Sequence, residues 1–202
     1  MTETVGILLA GGLSRRFGSP KAFAELDGKA FYEYAHDALA AVCDEVVVIT
    51  RPELKSRFPV SLDVITDTEK FAGLGPLAGI YTAMAERPAH QYLVLPCDMP
   101  FIGATETGKL MQAASPGADI TAVRANDHDI PLFSLWKGHI LEGLEKELDA
   151  EQLRVMVFMA KVETEWLDSS AVGDMDAFRN INKPDLLKGA DEHGSDTNTG
   201  PI

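Results

Sequence analysis

Three cations and a run of glycines stand together near the amino terminus, in LLAGGLSRRFGSPK, Leu8 to Lys21. Gly11 and Gly12 let main-chain N–H groups approach anionic oxygens with no Cβ in the way, while Arg15, Arg16 and Lys21 neutralise what those dipoles cannot. Gly18 and Pro20 keep the loop from becoming regular helix. Such a loop suits a polyphosphate. Two familiar phosphate loops are excluded by spacing: Arg16 or Phe17 stands where a Walker A loop needs glycine before Lys, and GxGxxG does not occur at this turn. A second chemical group lies far along the chain, in QYLVLPCDMPFI, where Asp98 is the first carboxylate after an apolar run that stops at Pro96. A carboxylate there can hold Mg2+ together with substrate phosphate oxygens, or it can cap the turn beyond it.

Further candidates fall into line behind these. FAGLGPLAGI, Phe71 to Ile80, places Gly73, Gly75 and Gly79 around Pro76, so the segment is either helix-entry chemistry or a main-chain surface that crosses close to a flat base. Asp67 ends the run LDVIT. Arg154 opens RVMVFM, which reads by itself as a core helix with the cation at its start and Val155, Val157 and Phe158 inside. Asn180 and Asn182 alternate with Ile181, so both amides leave a strand on one side. His128, in the polar stretch NDHDI, reads as a solvated histidine more readily than as a general base. Cys97 lacks a neighbouring base and reads as packing, not as a nucleophile.

The elements that must position these groups alternate. Val5 to Ala10 and EVVVIT, Glu45 to Thr50, are short and apolar throughout, as parallel strands covered on both faces are. Between them Phe31, Tyr34, Ala35, Ala38, Leu39 and Val42 keep helical spacing, after a turn at Leu26, Asp27 and Gly28. Pro52 and Pro59 bracket a polar connection to a third strand, Leu62 to Thr66. Next come a helix from Leu77, a strand from Tyr92 to Leu95, a helix from Thr105 to Ala114, strands at Asp119–Arg124 and Pro131–Trp136, and a helix through Leu141, Leu144 and Leu148. A short strand at Phe178 and a final helix opened by Pro184 close the chain. This is the pattern of an α/β protein: a single-domain, Rossmann-like, doubly wound and mostly parallel sheet, over residues 1–188. Ligands of such sheets sit outside the carboxyl ends of the strands, where the glycine loop, Asp67 and Asp98 all fall. Residues 189–202, GADEHGSDTNTGPI, read as a disordered polar tail.

The pattern L-A-G-G-x-S-x-R-x-G-x-x-K after an apolar strand resembles the signature of nucleotidyltransferases that accept a nucleoside triphosphate and release pyrophosphate. Its double glycine is similar to that of the molybdenum cofactor guanylyltransferases, where cytidylyltransferase relatives more often have Ala-Ala-Gly. G-P-L-A-G at Gly75 to Gly79, P-C-D-x-P around Asp98, RVMVFM at Arg154 and N-x-N-x-P at Asn180 and Asn182 resemble the same family, in the family's order from Val5 to Leu187. The resemblance implies a nucleotide-diphospho-sugar transferase type of fold. It also implies transfer of GMP from GTP to the terminal phosphate of Mo-molybdopterin, with release of pyrophosphate. By the same resemblance Leu9, Ala10, Gly11, Gly12, Lys21, Asp67, Gly75, Gly79 and Asp98 surround the nucleotide, Arg16, Lys21 and Asp98 are catalytic, and Asp98 carries Mg2+. Asp67 could accept from the guanine N1 and N2 donors or from the ribose. Arg154, Asn180 and Asn182 would meet the second substrate. Three positions depart from the family pattern: Pro20 replaces an Asp before the loop lysine, Ile49 an Asn that some relatives place at the end of the second strand, and Ile130 a polar residue. A cytidylyltransferase of the same pathway, or a non-catalytic protein that binds nucleotide and delivers the cofactor, are the alternatives.

Composition bounds the partners. The net charge is −13 over 202 residues, which argues against a protein that wraps a nucleic-acid backbone, while a local pocket of Arg and Lys still admits a small anion. The two cysteines, Cys43 and Cys97, have no CxxC spacing. The start of the chain lacks a charged leader, and no stretch reaches the apolar length of a membrane span, which points to the cytoplasm. The resemblance implies GTP and Mo-molybdopterin as substrates, with molybdoenzyme apoproteins or other proteins of the cofactor pathway as partners, and composition adds that neither nucleic acid nor membrane is expected.

Overall fold

The computed structural model describes residues 2–12, 18–126 and 128–181. In chain order its elements are β1 (Thr2–Leu9), the two-residue strands β2 (Glu25–Leu26) and β3 (Lys29–Ala30), α1 (Phe31–Ala40), β4 (Glu45–Thr50), α2 (Pro52–Lys55), β5 (Asp63–Thr66) and α3 (Pro76–Glu86). Beyond these lie β6 (Ala89–Pro96), α4 (Ala104–Ala113), β7 (Ile120–Ala125), β8 (His128–Lys137), α5 (Leu141–Asp149), α6 (Val155–Met159), β9 (Thr164–Asp168) and α7 (Ser169–Val172). Seven strands form one sheet in the order β5-β4-β1-β6-β8-β7-β9. The first four run parallel; β8 is antiparallel to both neighbours, and β9 returns parallel to β7. The fold is thus the mostly parallel α/β sheet expected of the sequence.

Both faces of the sheet are covered, and the strands alternate accordingly. Leu8, Val48, Leu93 and Leu95 face one layer with Ala35 and Leu39 of α1, Leu54 of α2, Leu110 of α4 and Val172 of α7. Ile7, Val47, Ile49, Tyr92 and Val94 face the other, with Leu77 and Ile80 of α3, Leu144 of α5 and Phe158 of α6, whose ring stacks on Trp136 at 5.6 Å. A fully buried side chain of this size contributes about 1.5–3 kcal/mol, so the central strands hold their register firmly.

Four local expectations change. The connection between Pro52 and Pro59 holds α2, with Pro52 in its first turn, where its missing N–H costs nothing. Of the expected polar turn, His128 to Ile130 belong to β8: Ala125 pairs with His128, and Asn126 takes φ 52°, a conformation asparagine tolerates. Pro131 sits opposite a register shift in β7, where it interrupts no ladder bond. No strand forms at Phe178 to Ile181. A 3-10 turn, Met175–Phe178, leads instead to an irregular segment whose Ile181 N–H donates to the Asp98 carbonyl at 3.0 Å, leaving Asn180 exposed and Ile181 buried. Finally, β9 and α7 are elements the sequence pattern did not announce. Asn182, the helix expected after Pro184 and the polar tail at 189–202 lie outside the described residues.

Candidate active site

Four parallel strands deliver their carboxyl ends to one edge, and the segments beyond those ends build a cleft of about 490 Å3. After β1 come Ala10, Gly11 and Gly12, tied back by the Ala10 N–H to the Ile49 carbonyl at 2.8 Å. After β4 come Arg51 and its neighbours, with the Thr50 hydroxyl donating to the Ala10 carbonyl. After β5 comes Asp67, and after β6 Cys97 and Asp98, with the Cys97 N–H donating to the Leu9 carbonyl at 3.1 Å. All of these line the cleft, together with Leu9, Lys21, Gly75 and Gly79. The nucleotide positions expected from the sequence therefore all converge on one cavity, although they are spread along the chain from Leu9 to Asp98.

An ion pair stands at the β6 end. The Lys21 ammonium, in the 3-10 turn Lys21–Phe23, donates to Asp98 Oδ2 at 3.0 Å, with both side chains partly buried. Cys97 beside them is buried, and burial above all, then the Asp98 charge, pushes its thiol up to about 12. It is therefore a neutral wall and no nucleophile. Arg16 lies outside the described residues, so the geometry of the loop's central cation is not among these contacts.

The opposite end is shaped by α3. Gly75 takes φ 88° as the residue before the helix, a backbone open only to glycine, and Pro76 begins the first turn. The helix thus presents Gly75, Pro76 and Gly79 to the cleft, with the positive end of its dipole at that wall. Gly79 is required by packing: a Cβ would stand 2.9 Å from Ile49 Cγ2 and 3.3 Å from Leu9 Cδ2. Asp67 accepts the Gly73 N–H at 3.1 Å, and burial raises its pKa against the lowering effect of that bond.

A second cleft, of about 440 Å3, opens on the other side of Asp98, which lines both. Its walls come from the β7–β8 hairpin, with Asn126, His128 and Asp129, and from the segment after Met175, with Arg179 and Asn180. Asn180 thus joins Asp98, and Asn182 is not described. Arg154 does not join them. It is the exposed residue that caps α6, lining neither cleft, because Val155, Phe158 and Met159 turn that helix toward the core and leave its first residue outside. Arg51 and Thr50 are walls of the first cleft that the sequence pattern does not single out, as are Asn126, Asp129 and Arg179 of the second, while Ile49, a departure from the family pattern, also lines the first. For Arg51 a signal existed: it is the first residue past a buried parallel strand, on the edge where such sheets bind ligands.

A metal fits one way here. Among the described residues there is no group of three or more His, Cys, Asp or Glu that could hold an ion by itself. One carboxylate beside a polyphosphate cleft suits Mg2+, which keeps waters and takes one or two carboxylates plus phosphate oxygens.

Comparison with known proteins identifies the family. The MobA-like NTP transferase domain matches residues 6–164. A probable molybdenum cofactor guanylyltransferase of Geobacillus sp. (strain WCH70) is 35% identical over 187 residues, covering 91% of this chain and 96% of that protein. The protein of the same description from Bacillus subtilis (strain 168) is 36% identical over 184 residues, covering 90% and 91%. Among solved structures, molybdopterin-guanine dinucleotide biosynthesis protein A from Archaeoglobus fulgidus superposes with a TM-score of 0.78 at 25% identity, covering 93% of this chain and 97% of that one. The chain, a nucleotidyltransferase by fold and by sequence, belongs to the MobA-like NTP transferase family, together with the molybdenum cofactor guanylyltransferases that it matches over nine-tenths of its length.

Proposed function

We propose that this protein transfers GMP from GTP to the terminal phosphate of Mo-molybdopterin, releasing pyrophosphate and forming molybdopterin guanine dinucleotide. The observation that carries the reading is the meeting of two clefts at Asp98, one with the glycine loop and Lys21, the other with Asn180 and the β7–β8 hairpin. A donor nucleotide in the first and an acceptor phosphate in the second would have their reacting ends at that carboxylate.

Both reactants are anions, so the residues act chiefly by neutralising charge and by holding the acceptor oxygen in line with the leaving pyrophosphate. Lys21 and Arg16 would donate to the triphosphate, with the N–H groups of Gly11 and Gly12 beside them. For that, Lys21 exchanges its bond to Asp98 for a phosphate oxygen. Asp98, released, would hold Mg2+, which supplies positive charge to the phosphate oxygens when bound. The acceptor phosphate is already ionised, so His128 need not act as a base. Leu9, Ala10, Gly75 and Gly79 would enclose the nucleoside, and Asp67 would accept from guanine N1 and N2 or from the ribose. Asn180, with Asn182, would face the pterin. Among the described residues no helix is long and apolar enough to cross a membrane. A cytoplasmic enzyme that passes its product to molybdoenzyme apoproteins is consistent with the reading.

The test is pyrophosphate release with Mg2+ and each nucleoside triphosphate in turn, with and without Mo-molybdopterin. Release confined to GTP plus the pterin is expected. Release confined to CTP plus the pterin overturns the base, and a failure to release pyrophosphate from any of the nucleotides overturns the enzyme.

A further inference from the structure

Two charged residues stand side by side at the end of the first cleft farthest from Lys21 and Asp98. Thr50 of β4 pairs with Thr66 of β5 in the last rung of that ladder, so Arg51 and Asp67 are the next residues on adjacent strands, and both line the cleft. Each is bonded elsewhere. Arg51 gives Nη1 to Glu53 Oε1 at 2.9 Å, while Asp67 takes the Gly73 N–H. Arg51 Nε is shut away from water and has no acceptor among the described residues. A buried guanidinium donor left unsatisfied is a cost to the empty protein, and an incoming acceptor would remove it.

The sheet order says which part of a nucleotide arrives there. Lys21 and Asp98 occupy the β6 end of the cleft, so a triphosphate held between them extends its nucleoside across β1 toward β4 and β5. Guanine presents two acceptors, O6 and N7, on one edge and the N1 and N2 donors next to them. Arginine is the side chain that meets O6 and N7 with two parallel donors, and a carboxylate is the one that accepts from N1 and N2.

We propose that Arg51 is a specificity-determining residue that donates to guanine O6 and N7, with Glu53 steadying its guanidinium from behind and Asp67 serving the neighbouring donors. The proposal rests on the guanine-nucleotide reading above and names the residue that would enforce it. Ligand entry turns the Arg51 side chain into the cleft and gives its unpartnered Nε an acceptor. Ile49, an apolar residue at the end of the same strand, leaves this task to its neighbour two positions on.

The experiment is calorimetric titration of the full chain with GTP, 7-deaza-GTP and CTP in Mg2+, for the parent, Arg51→Ala and Arg51→Lys. Melting temperatures are recorded beside each, and the lysine variant carries the test if the alanine variant does not fold. The parent is expected to bind GTP up to about 10-fold tighter than 7-deaza-GTP, a contrast that both variants lose while weakening for GTP by roughly 10-fold and holding their affinity for CTP. Lysine restores the charge but not the two parallel donors, so it fails to rescue. A 7-deaza penalty that persists in Arg51→Ala, or an equal loss for GTP and CTP, removes Arg51 from base reading while the guanine assignment stands. A parent that binds CTP as well as GTP overturns the guanine reading itself, and this assignment with it.

Discussion

At Asp67 the fold and the ligand make opposite demands on one carboxyl. Burial raises its pKa and the Gly73 N–H pulls it back, so the folded value lies above the ordinary one. A raised value means that its favourable contribution is complete below the unfolded carboxylate range and is lost as pH rises through the folded value. At about neutral pH the ionised group is therefore a cost to the empty protein. Asp67→Asn keeps an oxygen for the Gly73 N–H and removes the charge. Its melting temperature should exceed the parent's at about pH 7, with the gap closing as pH falls toward about pH 4. Affinity for GTP should fall by roughly 10- to 100-fold, the worth of a hydrogen bond to a charged group. Thermal melts across pH and nucleotide titrations check the two halves separately. A variant less stable than its parent at neutral pH would show that the carboxylate supports the empty fold.

At the scale of elements, α3 is the part whose placement the cleft depends on most. Gly75 turns the chain into it, Pro76 starts it, and Gly79 lets it lie against β1 and β4. Alanine is favoured over glycine inside a helix by about 1 kcal/mol. At Gly79 that gain meets a Cβ placed 2.9 Å from Ile49 Cγ2, on a branched side chain with little freedom to swing away. Overpacking of this kind costs about 1–3 kcal/mol, so the clash outweighs the propensity. Gly79→Ala should lower the urea midpoint, by up to about 2 kcal/mol of net stability. It should also weaken GTP binding, since the Ile49 and Leu9 side chains that must give way to the new Cβ line the cleft with Gly79. The antiparallel insertion of β8 between β6 and β7 does comparable work for the second cleft, because it brings the hairpin residues Asn126 and His128 to the edge where β6 ends.

For the molecule as a whole, the two clefts and the net charge of −13 make ligand charge the dominant variable. An acidic protein that receives a polyphosphate relies on a few local cations and on metal carried with the nucleotide. GTP with Mg2+ at about 100 times its dissociation constant should add about 2.7 kcal/mol to stability, which in a chain of this size raises the melting temperature by roughly 5–10 °C. A chelator should remove most of that gain. In Asp98→Ala the part that depends on Mg2+ should be missing, and scanning fluorimetry with and without the metal reads it directly. An undiminished shift in that variant would take the metal away from Asp98.

Features that depend on local pattern can be read from the amino acids in order. The uninterrupted apolar runs of β1, β4 and β6 are legible because strands covered on both faces need them, and Asp27-Gly28 is legible because a two-residue hairpin needs positive φ, here 50° and 75°. Strand and helix alternation then assigns the ligand to the carboxyl edge, and Gly11, Gly12, Lys21, Asp67, Gly75 and Asp98 fall there before any tertiary contact is known. Features that depend on neighbours far apart in the chain emerge with the folded sheet. β9, TEWLD, is a half-buried edge strand without alternation, so its pairing with β7 has no local mark. Arg154 heads a helix whose apolar residues are legible but whose position relative to the clefts is not. The companionship of Arg51 with Asp67 comes from strand order and register, and that of Asn180 with Asp98 from the Ile181 N–H that ties an irregular segment to the Asp98 carbonyl.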